Sequence, residues 1–424
     1  MRPIRFRRPH RLLLGLGLGA ALGVSLLAAP VVAAPATAPV TALARATLDR
    51  AGLNGAVTAA IERRAHITDA AAQAAGRAFQ VNLKRRDAAG SWAFGSAVLT
   101  APHRAGAYPL GWLFVAERAA AGWQVALEGD AGFAFLTAPA PSAVMPAREK
   151  ALLAPVTAAQ RPGARPDASQ AAAASNNTGR RLPYAIGQTW TLTGGPHGWS
   201  GTDRPFSSID LSGGDGRVLA AGGGNVYTMC GNNKGWLRII HPGGYATDYY
   251  HLFNNIAPPD GTAISEGAFI GNIGTDTSCG GSASGPHVHF AIRLNGAYVA
   301  WNWRTAGKWV LWEGAAAYQG FALHGSTRVN VGGGLFNYGA LGANQGIVDA
   351  NGGGTVNKRS GPGTGFAVVG SVGDGATITI PCWRNGTTHT GRYGTTSVWD
   401  KLTDNTWVSD AFVYTGVNTI GPTC

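Results

Sequence analysis

The residues of this chain whose type and spacing most directly suggest chemistry are two histidines, His287 and His289, in the segment Gly285-Pro-His-Val-His-Phe290. In an extended strand, residues i and i+2 point to the same face, so the two imidazoles would lie side by side. Such a pair suits metal binding or paired acid–base catalysis. With 10 His in 424 positions, chance alone supplies about a quarter of one His-x-His pair, so the pair needs partners elsewhere.

Three further residues of the same region could act with the pair. His197 lies in a glycine-rich loop, Gly194-Gly-Pro-His-Gly-Trp199, and His251 ends a predicted strand, 247–251. Asp210 follows His197 by thirteen positions in an apolar-flanked run, where a buried carboxylate is costly unless it is paired or metal-bound. Catalytic zinc uses three protein ligands and keeps one position open. The five residues therefore offer three ligands and two groups for proton transfer.

Other residues compete for these roles. Asp203 is an alternative carboxylate, but its neighbours resemble an exposed turn, so Asp210 is preferred. His241 precedes Pro242-Gly-Gly and is assigned to a turn rather than to a ligand set. A lone histidine such as His251 is more often structural, and its context is what favours a functional role. Tyr250 could touch substrate, although a tyrosine on a strand more often packs.

The N-terminus predicts export. Five arginines lie within residues 1–11, residues 12–29 are uncharged, and small residues follow, with cleavage expected after Ala33 or Ala34. A membrane anchor is the alternative, but glycines interrupt the apolar run, and no later segment is long and apolar enough to span a membrane. We therefore expect a secreted protein without a stable membrane anchor.

The distribution of charge argues against nucleic-acid binding. The chain carries +12 overall, but residues 1–175 hold 19 Lys+Arg against 9 Asp+Glu, a net +10. Residues 176–424 hold the remaining 15 and 13, a net +2. The basic excess thus lies in the part expected to be removed, and the mature part lacks the basic patch that nucleic acids require.

Four cysteines predict two disulfides, because an even count in an exported chain is typical of a disulfide framework. Three pairings are possible. If each domain closes its own bridge, the pairs are Cys230–Cys279 and Cys382–Cys424. A Cys₄ zinc site is disfavoured by export and by the absence of Cys-x-x-Cys spacing.

Composition divides the chain into segments of different character. The predicted fold is mainly β, with an antiparallel β domain and a small β unit preceded by an α+β unit. The predicted boundaries are a signal peptide at 1–34, the α+β unit at 35–137, a linker with a processing site at 138–179, the β domain at 180–325, a Gly/Asn-rich connection at 326–352 and the small β unit at 353–424.

The β domain resembles the lysostaphin-type zinc endopeptidases of peptidoglycan, and most closely their beta-lytic/staphylolytic group. The resemblance spans about residues 182–325 and rests on His197 with Asp210, on Tyr249-Tyr-His-Leu252 and on Gly285-Pro-His-Val-His-Phe290. The thirteen-residue interval between His197 and Asp210 is that of the beta-lytic group, whereas the lysostaphin branch has a much shorter one.

The resemblance implies roles for all five residues. His197, Asp210 and His289 would bind one Zn²⁺ per peptidase domain, while His251 and His287 would act beside the metal. One of the two would orient or deprotonate water, and the other would stabilise the oxyanion and protonate the leaving amine; the sequence does not decide which. Cys230 and Cys279 occupy positions that resemble a family disulfide.

The C-terminal unit resembles the bacterial SH3-like domains that bind cell wall, over Val356-Asn-Lys-Arg-Ser-Gly-Pro-Gly-Thr364 and Thr406-Trp-Val-Ser-Asp410. Lys358 departs from the usual pattern, which has an apolar residue there. Aromatic residues could line a peptide groove, although in a small barrel they more often form the core; these are Trp399, Trp407 and Tyr414.

Together these features predict a monomeric, secreted zinc endopeptidase of bacterial peptidoglycan, cutting stem peptides or Gly-containing cross-bridges. The α+β unit would be a pro-segment that inhibits the enzyme until the linker is cut, giving a new N-terminus between about 165 and 182. It contains no Cys to block the zinc, and nothing marks His66 or His103 as a ligand. A secreted protease of Gly-rich proteins and a catalytically silent wall-binding regulator remain the alternatives.

Overall fold

The fold is described from a computed structural model over residues 52–155 and 175–424. The predicted signal peptide, and residues 156–174 of the predicted linker, lie outside the described residues. Within the described ranges, no helix is long and apolar enough to cross a membrane.

The N-terminal region is an α+β unit, as predicted. Its four strands form an antiparallel sheet in the order β1-β2-β3-β4, and α1 packs Val57 and Ile61 against Phe114 of that sheet. The hydroxyl of Thr68 accepts a hydrogen bond from the amide of Ala71 and so caps α2. The elements are α1 (Leu53–Ala65), α2 (Asp69–Ala74), β1 (Phe79–Arg86), β2 (Trp92–Leu99), β3 (Leu110–Ala119), β4 (Gly122–Leu127), α3 (Ala131–Thr137) and α4 (Ala147–Leu153).

Two features of this region differ from the composition-based expectation. Strand β1 was not predicted, although its first six residues, Phe-Gln-Val-Asn-Leu-Lys, alternate apolar and polar side chains as a half-buried strand does. Helix α4 lies inside the predicted linker, and its Glu149 is buried. The folded N-terminal unit therefore extends into the predicted linker, at least through α4.

The central domain is a large antiparallel sheet in the order β11-β8-β9-β10-β13-β6-β5-β19, with β14 paired to β13. Strands β7 and β12 form a separate pair, and β15 to β18 form a four-stranded sheet. The strands are β5 (Thr189–His197), β6 (Ser208–Ser212), β7 (Arg217–Leu219), β8 (Gly224–Thr228), β9 (Gly235–Ile240), β10 (Tyr245–Leu252), β11 (Thr262–Ile264), β12 (Phe269–Asn272), β13 (Val288–Leu294), β14 (Ala297–Tyr298), β15 (Thr305–Ala306), β16 (Trp309–Glu313), β17 (Gly320–His324), β18 (Thr327–Asn330) and β19 (Gly334–Phe336).

The two faces of the large sheet are both covered, by different parts of the chain. On β13, Phe290 and its alternate neighbours point into a core formed by the central domain itself. The opposite face carries Trp236 and Tyr250, which join Phe94 and Val115 of the N-terminal sheet in a second core. This opposite face, which also carries His289, is thus the face that the N-terminal unit covers.

The C-terminal unit consists of a three-stranded sheet, β23-β20-β27, and a five-stranded sheet, β22-β21-β26-β25-β24. Its elements are β20 (Gln345–Val348), β21 (Thr355–Arg359), β22 (Val368–Gly373), β23 (Thr377–Thr379), β24 (Cys382–Gly391), β25 (Gly394–Lys401), β26 (Trp407–Ser409), a 3₁₀-helix (Asp410–Phe412) and β27 (Val413–Tyr414). Trp399, Trp407 and Tyr414 are buried in this unit rather than exposed in a groove.

The predicted disulfides, the predicted connection at 326–352 and the unusual Lys358 can also be compared with the structure. Both predicted disulfides, Cys230–Cys279 and Cys382–Cys424, are confirmed. The expected connection at 326–352 contains three strands, of which β19 extends the central sheet and β20 belongs to the C-terminal unit. The unusual Lys358 forms an ion pair with Asp404, which explains how a charged residue is accommodated on β21.

Candidate metal centre and active site

Three adjacent strands position the proposed ligands. His197 ends β5, Asp210 lies in β6 and His289 lies in β13, where Asp210 and His289 are directly opposite each other. Irregular pairing between β5 and β6 turns His197 towards the same point. Glycine is required at position 194, because a Cβ there would lie 2.5 Å from Oδ2 of Asp210.

The donor atoms of these residues converge. Nε2 of His197 lies 3.2 Å from Nδ1 of His289, and Oδ1 of Asp210 lies 3.0 Å from that Nδ1 and 3.5 Å from that Nε2. Zinc–ligand distances of about 2.0–2.1 Å in a tetrahedron separate neighbouring ligand atoms by about 3.3 Å. The three separations therefore match one face of a tetrahedral zinc site, and they form the His/Asp/His group of the described residues that could hold a metal ion.

The hydrogen bonds of His197 fix which of its nitrogens carries a lone pair. Nδ1 lies 2.7 Å from the carbonyl oxygen of Gly195, so a neutral ring donates there and presents Nε2 as a lone pair to the centre. Burial lowers the pKa of His197 to about 4, and the charge of Asp210 only partly opposes this shift. Burial raises the pKa of Asp210, but the neighbouring histidines outweigh it and hold that pKa below its usual value. Electron-pair donors thus face one another, an arrangement that suits a cation.

His251 and His287 lie beside the three donor residues, with ring centroids 4.8 Å apart. Nδ1 of His251 bonds the carbonyl oxygen of Asp276 at 2.9 Å, and Nδ1 of His287 bonds that of Gly285 at 2.8 Å. In neutral rings both Nε2 atoms therefore carry lone pairs. Nε2 of His251 is buried without a partner, and Nε2 of His287 lies 3.7 Å from Oδ1 of Asp210. Burial lowers the pKa of His251 to about 3.

All five residues singled out in the sequence thus meet at one place. Asp203, the competing carboxylate, instead accepts a hydrogen bond from Ser200 in an exposed turn. His241 lies directly before the turn at Pro242, as predicted, and is buried there, with its ring nitrogens bonding Gly223 and Thr247. It is a structural histidine and takes no part in the centre.

Comparison with known proteins identifies the domain. The sequence profile described as Peptidase family M23 matches residues 204–301, which include Asp210 and the three histidines other than His197. Beta-lytic metalloendopeptidase of Lysobacter enzymogenes is 32% identical over 133 residues, 29% of this chain and 72% of that protein. The chain belongs to peptidase family M23.

Two other relatives match over a smaller share of their length. Protease LasA of Pseudomonas aeruginosa is 33% identical over 161 residues, which is 35% of this chain. The chain spans only 37% of the length of LasA and of the beta-lytic metalloendopeptidase of Achromobacter lyticus. Among solved structures, pseudoalterin, a novel M23 metalloprotease from the deep sea, is 28% identical over 37% of this chain and 97% of its own, with a TM-score of 0.34.

Two tyrosines of this M23 chain lie over the centre, and neither was predicted. Tyr318, in the turn before β17, stacks on His197 with ring centroids 4.0 Å apart. Tyr108, from the N-terminal unit, stacks on His289 at 5.3 Å, and its hydroxyl lies 3.5 Å from that of Tyr318. No sequence pattern could reveal them, because each lies in a short irregular segment and reaches the centre only through tertiary packing.

Proposed function

We propose that this chain is the precursor of a secreted zinc endopeptidase that hydrolyses peptide bonds in bacterial peptidoglycan, within stem peptides or Gly-containing cross-bridges. The convergence of the donor atoms of His197, Asp210 and His289 is the observation that carries the proposal. Membership of family M23 supports peptidase activity, and the resemblance to the beta-lytic group supports the wall substrate.

The donor set fits Zn²⁺, because two imidazoles and one carboxylate are a ligand set of catalytic zinc. We assign His197, Asp210 and His289 as the ligands. When bound, zinc polarises the carbonyl of the scissile bond and lowers the pKa of a bound water. Nδ1 of His289 faces both Nε2 of His197 and Oδ1 of Asp210, so Nδ1 is the atom of this ring that would bind the metal.

The remaining two histidines would move protons beside the reacting bond. His251 and His287 are each oriented through Nδ1 by a backbone carbonyl, so Nε2 is left to accept or return a proton. We assign to this pair the activation of water, the stabilisation of the oxyanion and the protonation of the leaving amine. Because burial lowers its pKa, His251 is neutral at neutral pH, and its Nε2 carries a free lone pair towards the centre.

The N-terminal unit would hold the precursor inactive by covering the centre. The amide of Ala101 donates to Cys279, and the amide of Gly281 donates to Pro102. Nε1 of Trp199 donates to the carbonyl oxygen of Pro109 at 2.6 Å. Residues 101–109 therefore cross the centre, with Tyr108 stacked on His289, and they occupy space that a substrate would need.

The proposed cut lies upstream of residue 175. The amide of Asn176 donates to Gly416 at 2.7 Å, and the hydroxyl of Thr178 donates to the carbonyl oxygen of Thr305 at 2.7 Å. A cut beyond these residues would remove contacts that join the peptidase sheet to the C-terminal unit. Within the range predicted from sequence, we therefore place the new N-terminus between about 165 and 175, ahead of this bonded segment.

Turbidity clearing of purified bacterial walls tests the function. The zinc-loaded, processed chain should clear walls, while the uncut chain and the chelated chain should not. Mass analysis of the released muropeptides identifies the bond. Absence of clearing would contradict the proposal; cleavage of elastin without clearing would favour a protease of Gly-rich proteins, and wall binding without any cleavage would favour a silent regulator.

A further inference from the structure

The sheet face that carries His289 also carries two buried arginines. Side chains alternate along β13, so His289, Ala291 and Arg293 share one face. On the neighbouring strands, Arg238 and Asp248 point to the same face, with Asp248 directly opposite Ala291. At about 3.4 Å per residue, Arg293 lies about 14 Å along the strand from His289.

Arg238 and Arg293 differ in the carboxylates that neutralise their charges. Arg238, fully buried, bonds both carboxylate oxygens of Asp248, at 2.8 and 3.1 Å. Arg293 is also buried; it stacks on Tyr298, and its Nε lacks a hydrogen-bond partner. Among the described residues, the carboxylate within ion-pair distance of Arg293 is Glu128, which belongs to the N-terminal unit.

Glu128 is inserted between the arginines. Its Oε2 lies 2.5 Å from Nη1 of Arg238 and 3.8 Å from Nη2 of Arg293, and the residue is only 4% exposed. Two arginines and two carboxylates make this cluster neutral. Removal of the N-terminal unit would leave Arg238, Arg293 and Asp248 with one excess positive charge on an otherwise largely aromatic face.

We propose that Arg238 and Arg293 form a carboxylate-binding subsite of the processed enzyme, which Glu128 fills in the precursor. The inference rests on the proposed function, since the unit that places Tyr108 over the metal centre also places Glu128 here, about two to four residues along the sheet. The ligand class is a peptide with a free carboxylate at that distance from the cleaved bond. Peptidoglycan stem peptides carry such carboxylates, whereas polyglycine bridges do not. Guanidinium groups bind carboxylates through charge-assisted hydrogen bonds.

Matched peptides test the subsite. Fluorogenic oligoglycine peptides would carry Glu, or Gln in its place, at two, three or four residues on either side of the cleaved bond. At the best position, the kcat/KM of the processed chain should be about tenfold higher for the Glu peptide than for the matched Gln peptide. The difference should come from a lower KM. Equal KM values for the twins at every position would overturn the subsite.

Arg293 is the residue to vary, because replacing Arg238 would leave Asp248 buried without its partner. Arg293→Met should abolish the preference for Glu, and Arg293→Lys should retain part of it. Arg217→Met, at an exposed arginine on β7, is the matched control and should leave the preference unchanged. A full preference surviving in Arg293→Met would show that Arg293 serves only to dock the N-terminal unit.

A measurement of peptide binding distinguishes a failure of this inference from a failure of the proposed function. Calorimetry with the same peptides measures the subsite without turnover. If the processed chain cleaves nothing but binds Glu peptides about tenfold tighter than Gln peptides, the subsite stands and the proposed function fails. If it cleaves both twins and binds them equally, the subsite fails and the proposed function stands.

Discussion

The ring of Tyr108 lies stacked on the imidazole of His289, with centroids 5.3 Å apart, although 180 positions separate the two residues in the chain. Burial raises the pKa of Tyr108, so its phenol stays protonated at neutral pH. The N-terminal unit therefore covers the centre with an uncharged aromatic side chain. The hydroxyl of Tyr108 lies near that of Tyr318, whose ring stacks on His197. The two tyrosines therefore cover both histidines of the ligand set.

Truncating Tyr108 should weaken inhibition in the uncut chain. Tyr108→Ala removes a stacked aromatic contact, worth up to about 1.5 kcal/mol, so wall clearing by the uncut protein should rise by up to about tenfold. Tyr108→Phe keeps the stacked ring and should remain inhibited. Clearing is measured while electrophoresis verifies that the chain stays uncut. An Ala variant as inactive as its parent would contradict the role of Tyr108.

Substitutions at the two histidines of the His-x-His pair should affect metal binding and proton transfer differently. His289→Gln should lose both zinc and activity, because it removes a proposed ligand. His287→Gln should retain zinc but lose activity by about 10²–10⁴-fold, as expected for an acid–base group. Zinc content after dialysis and wall clearing are the measurements, with the structural residue His241→Gln as the control that keeps zinc. Strong zinc loss in His287→Gln would reverse the assignment within the pair.

Glu128 should stabilise the uncut chain. Glu128→Gln leaves Arg238 and Arg293 buried with one carboxylate fewer, and breaking a buried ion pair typically costs about 3 kcal/mol or more. The midpoint of denaturant unfolding of the uncut chain should fall accordingly. Glu117→Gln, on β3 and outside the arginine cluster, is the control. Equal unfolding midpoints for the Glu128 variant and the parent would show that the cluster contributes no stability.

The C-terminal unit should lose stability as pH rises, because of Asp400. This residue is fully buried beside Asp410: burial raises the pKa of Asp400 to about 7, and burial together with the charge of Asp400 raises the pKa of Asp410 well above its usual value. The folded state therefore keeps a proton that the unfolded state releases near pH 4, so the free energy of unfolding falls between about pH 4 and 7. Asp400→Asn removes one carboxyl of the pair and should weaken this dependence, so its Tm relative to the parent should rise from pH 4 to pH 8 in calorimetry.

Asp404 provides the control for that experiment. It is exposed, and its hydrogen bonds to Lys358 and Thr406 lower its pKa to about 2. Its contribution to stability is complete above the unfolded pKa and is lost only as pH falls towards 2. Asp404→Asn should therefore show no trend relative to the parent between pH 4 and 8. A flat profile for Asp400→Asn as well would contradict the assignment.

The residues of the candidate site could be predicted from the sequence, whereas the residues of the N-terminal unit that cover the site could not. His197, Asp210 and the His-x-His pair could be found because ligand chemistry restricts residue types and strand geometry restricts their spacing. The opposed positions of Asp210 and His289 follow from antiparallel pairing of two alternating strands. Tyr108 and Glu128 could not be found, since tyrosine and glutamate are common in any role and only docking of the N-terminal unit brings them to this face.

The predicted domain boundaries were wrong where the residue composition resembled that of a linker. Residues 326–352 are rich in Gly and Asn, which predicts a connection, yet three strands form there because their partners β5, β17, β23 and β27 supply the pairing. Helix α4 lies within a segment whose Ala and Pro content resembles a linker, but Glu149 is held by Arg85 and Tyr227. In both cases tertiary contacts override the local preference.

All four cysteines lie at or beyond residue 230, so no disulfide joins residues 101–128 to the domain that they cover. A single cut ahead of residue 175 would therefore leave the N-terminal unit attached by noncovalent contacts alone. The covering unit would then lose the high effective concentration that the covalent linker confers. Inhibition of the cut enzyme would then depend on protein concentration, so it would persist in concentrated solution and be lost on dilution.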